Sequence, residues 1–217
     1  MHPLTPPEGV LLDFIEQTRH LYTDMDRDYR RSADACGFVC NGCEDNCCRT
    51  LFYHHTYLEY VTVRAGFAKL SKDRRELTRA RAADYLKAVA AGGNNINQRP
   101  MCPLNESGRC ILYAERPMIC RLHGVEHGFT PPGQIQVRIG PGCEDFYRQC
   151  GHTAHQRLDR TPHYLKLAKL ESDFKQVLGI HRKLKLTLAD MVLQELFGHR
   201  TGDAAMLAPN DIYGRLR

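Results

Sequence analysis

Residues 36 to 48 read CGFVCNGCEDNCC, and no other stretch restricts the fold as tightly, because five of the ten cysteines fall inside it. Cys36, Cys40, Cys43 and Cys47 are four, three and four positions apart, so a continuous helix would align their sulfurs on one stripe. At 1.5 Å rise per residue that stripe would be about 16 Å long, and one metal centre with bonds of about 2.3 Å cannot touch both ends. Gly37, Asn41, Gly42 and Asn46 also oppose a continuous helix and supply positive-φ turns. The stretch is therefore expected to fold back around a small object. Cys47 and Cys48 are adjacent, and adjacent side chains diverge, so they are expected to serve different irons or different ions.

The rest of the chain sets the environment for those thiols. The N-terminal MHPLTPPEGVLLDFIEQ lacks a basic segment followed by an unbroken apolar run, and no stretch approaches the ~20 apolar residues of a membrane span. A cytoplasmic protein with no membrane association is expected. Thiols there are held reduced, which makes a disulfide framework unexpected and metal ligation the default. At 217 residues, 42% apolar and 25% charged, the chain has the composition of one ordinary domain with a real core. The net charge of +5 is modest and would fall as thiolates bind metal, so nucleic acid is not expected as a partner.

Apolar positions Leu11, Phe14, Ile15, Leu21, Tyr22, Met25 and Tyr29 recur at helical spacing, predicting one amphipathic helix over about Glu8 to Arg31 that leads into the cysteine loop. After a short strand or turn, Thr56 is placed to cap a helix reaching about Leu70. Ser71 is placed to cap another from Lys72 to Ala91, ended by Gly92-Gly93. Between Arg64 and Lys87 eight Lys or Arg stand against three acids, which fits a solvated helix face before it fits an electropositive rim for an anionic substrate or acidic partner.

A second cysteine group lies in MCPLNESGRCILYAERPMICRLHG, with Cys102, Cys110 and Cys120. Asn105 to Gly108 is a strong turn signal that brings Cys102 and Cys110 together. Ile111 to Arg116 reads as a short helical piece closed by Pro117, and Cys120 is expected in an extended segment beyond it. Residues 133–140, GQIQVRIG, alternate apolar and polar and predict a strand. PGCEDFYRQC then carries Cys143 and Cys150.

CNGCEDNCCR followed by CPLNESGRCILYAERPMICR resembles the CxxCxxCC zinc- or iron-chelating family, the YkgJ-type cysteine-cluster proteins, whose members are often described as similar to flagellin lysine-N-methylase. The resemblance spans about residues 36 to 150. It implies a metal set of Cys40, Cys43, Cys47, Cys48, Cys102, Cys110, Cys120 and Cys143. The chain departs from the pattern in having three residues between Cys43 and Cys47, and in carrying Cys36 and Cys150 beyond the usual eight. Substitution of Cys150 is accordingly expected to be mild, and that of Cys47 or Cys120 severe.

Thiolate-rich sets select zinc or iron-sulfur clusters over hard cations. Zinc commonly takes two separated CxxC-like knuckles, and only Cys40 and Cys43 have that form; a 4Fe-4S cluster accepts looser spacings. An iron-sulfur cluster of the 4Fe-4S type is the first expectation and zinc the second. His123 and His127 follow Cys120, His152 and His155 follow Cys150, and His54 and His55 follow the first box, as ligands, donors or plain surface residues. Arg49, Arg116 and Arg121 stand near cysteines and could donate to cluster sulfurs or simply pair with acids.

The C-terminal third reads as conventional helix. Thr161-Pro162 starts one, with Tyr164, Leu167, Ala168, Phe174, Val177 and Leu178 on one face, and Thr187 starts another ending at Gly198. No phosphate loop, dinucleotide fingerprint or hydrolase motif is present in the sequence. Cys36-x3-Cys40-x2-Cys43 has the spacing of radical S-adenosylmethionine enzymes, but the alternating strands of their barrel are missing.

The expected fold is mainly α, with helices wrapped around an irregular cysteine-rich metal-binding core and at most a short strand pair. Residues 1–160 would form the metal-binding domain with its N-terminal helix, 161–200 a helical hairpin packed on it, and 201–217 a tail. The expected function is metal binding, with an electron-transfer or redox role and a protein redox partner. The alternatives are an S-adenosylmethionine-dependent lysine methyltransferase acting on a protein substrate, and a zinc-stabilised interaction module.

Overall fold

The computed structural model describes residues 8–40, 47–92, 100–152 and 155–197. Cys43, Gly198 and the expected tail lie outside them. The fold is mainly α, as the apolar spacing predicts. The long α1 (Glu8–Asp34) buries Phe14, Ile15, Leu21, Tyr22 and Met25 on one stripe. Thr18, fully buried on that stripe, satisfies its hydroxyl on the Phe14 carbonyl at 2.8 Å. No described helix is long and apolar enough to cross a membrane.

At the centre stands α2 (Tyr57–Ala68), buried on nearly every side, as a helix apolar all round must be. Such burial leaves its first N–H groups without water, and carboxylates replace it. Thr56 caps the helix by accepting from the Glu59 N–H, and Glu171 accepts from the Tyr57 and Leu58 N–H groups at 2.9 and 3.1 Å. Burial raises the Glu171 pKa despite those two donors. Glu171 belongs to α6 (Thr161–Val177), which packs on α1 and α2, with Phe174 edge-on to Phe14.

α3 (Lys72–Gly92) follows the expected Ser71, whose hydroxyl accepts from the Arg74 N–H at 3.3 Å. Many of its neighbouring cations have structural partners. Arg64 reaches the Val192 carbonyl, Arg75 the Ala68 and Leu70 carbonyls, and Arg79 lies over the Phe67 ring.

The strands are few and short. Asn105–Glu106 (β1) and Arg109–Cys110 (β2) form the hairpin that the turn signal predicts. A second sheet has the order β4-β3-β5, built from His127–Phe129 (β3), Arg138–Gly140 (β4) and Leu158–Asp159 (β5). The predicted strand over 133–140 is reduced to its last three residues, because β3 offers only three partners before Pro131 and Pro132. Ile135, 99% exposed, lies beyond the pairing.

Two helix boundaries depart from expectation. Cys120 sits in the four-residue α4 (Met118–Arg121), not in an extended segment. Pro117 closes the one-turn 3-10 segment Tyr113–Glu115 and also stands at the N-cap of α4, and the buried Glu59 carboxylate accepts from the Met118 N–H at 2.8 Å. A carboxylate from a distant helix thus supplies the start signal that the local sequence lacks. At the other end of the chain α7 (Leu188–Leu193) keeps the expected Thr187 cap, completed by Asp190, but stops short of Gly198. There the Tyr60 hydroxyl donates to the Gln194 carbonyl and accepts from the Leu196 N–H, drawing the chain off the helix axis. α7 packs on α2 and α3, while α6 packs on α1 and α2, so each C-terminal helix docks on N-terminal ones.

Candidate metal centre

The two cysteine stretches meet. The Cys102 N–H donates to the Cys48 carbonyl at 2.8 Å, joining the end of the first box to the start of the second group. The hairpin then carries Cys110 back toward Cys102, and α4, held by Glu59, delivers Cys120. Five thiols, Cys47, Cys48, Cys102, Cys110 and Cys120, therefore share one electrostatic neighbourhood.

Their acidities show what the crowding does. Cys48 is the most readily ionised, its pKa pushed well down because Cys102 and Cys47 donate to its sulfur. The Asn105 amide favours the same thiolate without completing a hydrogen bond of ordinary geometry, and His123 adds positive charge. Cys47 and Cys102 pay the reverse: donating to Cys48, and buried, they hold their protons far more tightly. Burial pushes Cys110 up to about 11 and Cys120 higher still, with neighbouring thiolates adding to both. The folded chain thus sets one readily ionised sulfur among neighbours that hold their protons.

Arg116 is the cation that reaches this neighbourhood, lowering Cys47, Cys110 and Cys120 while stacked on the Tyr113 ring at 3.7 Å. Arg121 is occupied elsewhere. It is 2% exposed, pairs with Asp26, donates to the Ala114 carbonyl at 2.6 Å and lies over the Tyr22 ring. Arg49 is exposed.

Cys40 and Cys143 form a separate pair beside the Tyr29 hydroxyl, whose pKa rises first through burial and then through both thiols. Cys143 caps α5 (Glu144–Cys150), its sulfur accepting from the Phe146 N–H at 3.4 Å. Its own N–H is held by the Gly124 carbonyl at 2.8 Å. Gly124 has φ +116°, and a Cβ there would stand 2.9 Å from the Tyr29 hydroxyl, so glycine is required for this approach.

The remaining two described cysteines overturn the expectation of wholly reduced thiols: Cys36 and Cys150 form a disulfide, with Cα atoms 5.7 Å apart. It ties the end of α1 to the end of α5, and the Gln149 side chain reinforces the tie by bonding the Val39 N–H and carbonyl, both at 3.0 Å. Cys150 is fully buried, so the mild effect expected of its substitution gives way to a structural role.

The histidines divide. His123 lies against the Phe52 ring and beside Cys48. His127 packs under Gly140, and burial lowers its pKa to about 4. His155 bonds Glu126 at 2.6 Å, His152 is exposed and His55 bonds the Leu184 carbonyl at 3.0 Å. His54 pairs its backbone with Leu186 and is 3% exposed, and its Nε2 has no hydrogen-bond partner among the described residues. Asn105, Tyr29 and Glu59 are the contributors that sequence reading misses. Of these only Asn105 carries a local signal, in the turn whose Oδ1 accepts from the Gly108 N–H.

Donor chemistry and placement thus fit a thiolate-bound metal, but bonding geometry is not assembled. Among the described residues no three His, Cys, Asp or Glu side chains stand where one ion could be held. Comparisons of the chain with known protein families, with curated proteins and with solved structures find no match.

Proposed function

We propose that this protein binds metal through the thiols of Cys47, Cys48, Cys102, Cys110 and Cys120. The observation that carries the reading is the convergence of sulfurs from stretches more than fifty residues apart, joined at the Cys102 to Cys48 backbone bond and supplied with one ready thiolate. Cys40 and Cys143, within reach of the same Arg116 through Tyr29, offer further thiolates beside the first set, with Cys43 between Cys40 and Cys47 in the chain.

The number of sulfurs favours an iron-sulfur cluster of the 4Fe-4S type, which uses four thiolates and suits an electron-transfer or redox role. The second reading is a single zinc ion, which takes four such ligands in a closed tetrahedron. When bound, a cluster would supply an electron-accepting site and zinc would supply cross-linking of the two stretches. The chain's own residues do the rest. Glu59 fixes α4 and so Cys120, Asn105 and His123 favour the first thiolate, and Arg116 offsets the negative charge that accumulates. Binding of S-adenosylmethionine and methylation of a protein lysine are supported by the family resemblance alone.

Anaerobic purification with metal and acid-labile sulfide analysis tests the proposal. A brown protein with stoichiometric iron and sulfide supports the first reading, and a colourless one with stoichiometric zinc the second. Protein that carries neither metal, and takes up neither on anaerobic reconstitution, overturns both.

A further inference from the structure

Two segments beside the thiols present one character to the inside of the molecule and another to water. Along 49–55 the even positions Thr50, Phe52 and His54 line a small cavity next to Cys47, Cys102 and Cys120, while Arg49, Tyr53 and His55 are exposed. A period of two is what an extended chain imposes. The second segment, 180–186, pairs with the first through His54 and Leu186, and His55 Nδ1 donates to the Leu184 carbonyl at 3.0 Å. It buries Ile180, Leu184 and Leu186 and leaves Arg182, Lys183 and Lys185 exposed. The Lys185 ammonium lies 4.3 Å from the centre of the Tyr53 ring and joins the two segments on their outer side.

That outer side carries charge without a counterpart. Exposed cations elsewhere pair with acids, as Arg27 does with Asp24, Arg157 with Glu126 and Lys166 with Asp24. Among the described residues Arg182, Lys183 and Lys185 form no ion pair, and the sequence has no Asp or Glu between Asp173 and Asp190. Glu171, whose charge meets that of Arg182 at Tyr57, is committed to the Tyr57 and Leu58 N–H groups. Three buried apolar side chains fix the backbone that presents these cations, so docking orders little further chain. We infer that this outer face is a docking surface for an acidic segment of a protein partner, set over the thiol pocket. Carboxylates are the groups these cations lack within the chain, and complementary charge of this kind steers encounter and fixes orientation. Single-stranded nucleic acid is disfavoured, because it binds where open aromatic faces stand among the cations, and the Tyr53 ring is covered by Lys185. A lipid surface is disfavoured because the apolar neighbours Ile180, Leu184 and Leu186 are buried and have nothing to insert. The charge argument holds whether or not the thiols carry metal.

The test uses the full chain purified anaerobically, with a fluorescein-labelled Glu/Ser peptide as the probe. Fluorescence anisotropy at low salt is expected to show binding that weakens as salt rises. The Lys183→Glu, Lys185→Glu double variant is expected to bind about tenfold more weakly. Lys69→Glu with Lys72→Glu makes the same change of charge at exposed positions elsewhere and is expected to weaken binding by about twofold or less. All four lysines are exposed, and circular dichroism checks that both variants keep the fold. In the wild type, zero-length cross-linking of activated peptide carboxylates is expected to mark Lys183 and Lys185 ahead of Lys69 and Lys72. Absence of binding at low salt, equal losses in the two double variants, or cross-links spread evenly over the exposed lysines overturns the docking face. Tighter binding of single-stranded oligothymidine or of phosphatidylserine vesicles than of the peptide overturns the assignment to an acidic protein segment. Metal content is measured in the same preparation, so the two proposals fail separately. Metal-free protein that docks the peptide supports the face while the metal reading falls, and metal-replete protein that ignores the peptide sinks the face alone.

Discussion

Two buried polar regions of the molecule are built on opposite rules. Around α2 every carboxylate has work in the folded chain: Glu171 covers the first N–H groups of α2, Glu59 covers the start of α4, and Asp190 completes the cap of α7. In the thiol pocket the polar atoms work against one another. Cys47 and Cys102 hold their protons while favouring the Cys48 thiolate, one imidazole nitrogen has no hydrogen-bond partner among the described residues, and Arg116 and His123 bring the positive charge. The contrast teaches that the carboxylates of the first region are satisfied by backbone and hydroxyl groups of the chain, whereas in the second the thiols serve mainly one another as partners.

The largest expected effect breaks that contrast directly. If metal completes the pocket, binding and folding share one free energy, on the order of 10 kcal/mol for structural zinc. Cys120→Ala is then expected to give insoluble or metal-poor protein. If the pocket is only a core, the same change deletes one buried sulfur and costs about 1–2 kcal/mol. Metal content and urea unfolding of the anaerobically purified variant separate the two. A stable, metal-replete Cys120→Ala protein would remove Cys120 from the ligand set.

Next in size is the disulfide, which sets oxidised against reduced sulfur in one molecule. Closing a loop with a sequence separation of 114 stabilises a chain by about 4–5 kcal/mol in the chain-entropy view. The Cys36→Ala, Cys150→Ala double variant is expected to lose most of that in urea unfolding, and strong reductant should cost the wild type a similar amount. Thiol titration of the unfolded, metal-stripped protein without reductant should count eight free groups, ten less the bonded pair. A count of ten would show the pair to be open.

Glu59→Ala sharpens the comparison, because it touches both regions. It leaves the Met118 N–H and the Thr56 hydroxyl without their acceptor, at a cost of about 2–3 kcal/mol. It should also lower metal content by loosening α4, whereas Glu171→Ala should cost similar stability and leave metal content unchanged. Equal metal content in the two variants would mean that α4 holds its place without Glu59.

These regions differ as much in how far the sequence reveals them. Helices α1 and α6 are legible from apolar spacing, and α2, α3 and α7 from their caps at Thr56, Ser71 and Thr187, because both signals are local. The hairpin that joins Cys102 to Cys110 is legible for the same reason. The short helix under Cys120 is not, since its start signal is a carboxylate about sixty positions away. Nor is the bond between Cys36 and Cys150: the family resemblance sets the two apart from the usual eight, but only the folded positions of α1 and α5 bring them together. His54 is visible as a histidine near cysteines, but its missing partner is a property of packing alone.

The smallest effect lies outside both regions and calibrates them. Glu106 of the hairpin bridges Arg74 at 2.5 Å and Arg81 at 3.2 Å on α3, and the Arg74 hydrogen bond holds its carboxyl below the ordinary 4.5. A carboxylate whose folded pKa is depressed adds stability that is present above its unfolded pKa. That stability is lost as pH falls through 4.5 and below, so this pair favours the fold at neutral pH and fails in acid. The two arginines are nearly half exposed and Glu106 is partly so, and water and salt screen them, so the change in unfolding free energy should be slight. The carboxyl carbon shift of Glu106, followed by NMR against pH, reads the pair more directly. Its midpoint is expected to rise toward 4.5 in Arg74→Ala and, in part, in high salt. A wild-type midpoint already at 4.5 would mean that the hairpin carrying Cys110 is not tethered to α3 through its charges, and that Cys110 is positioned by the hairpin's own pairing and the Ile111 to Leu104 backbone bond.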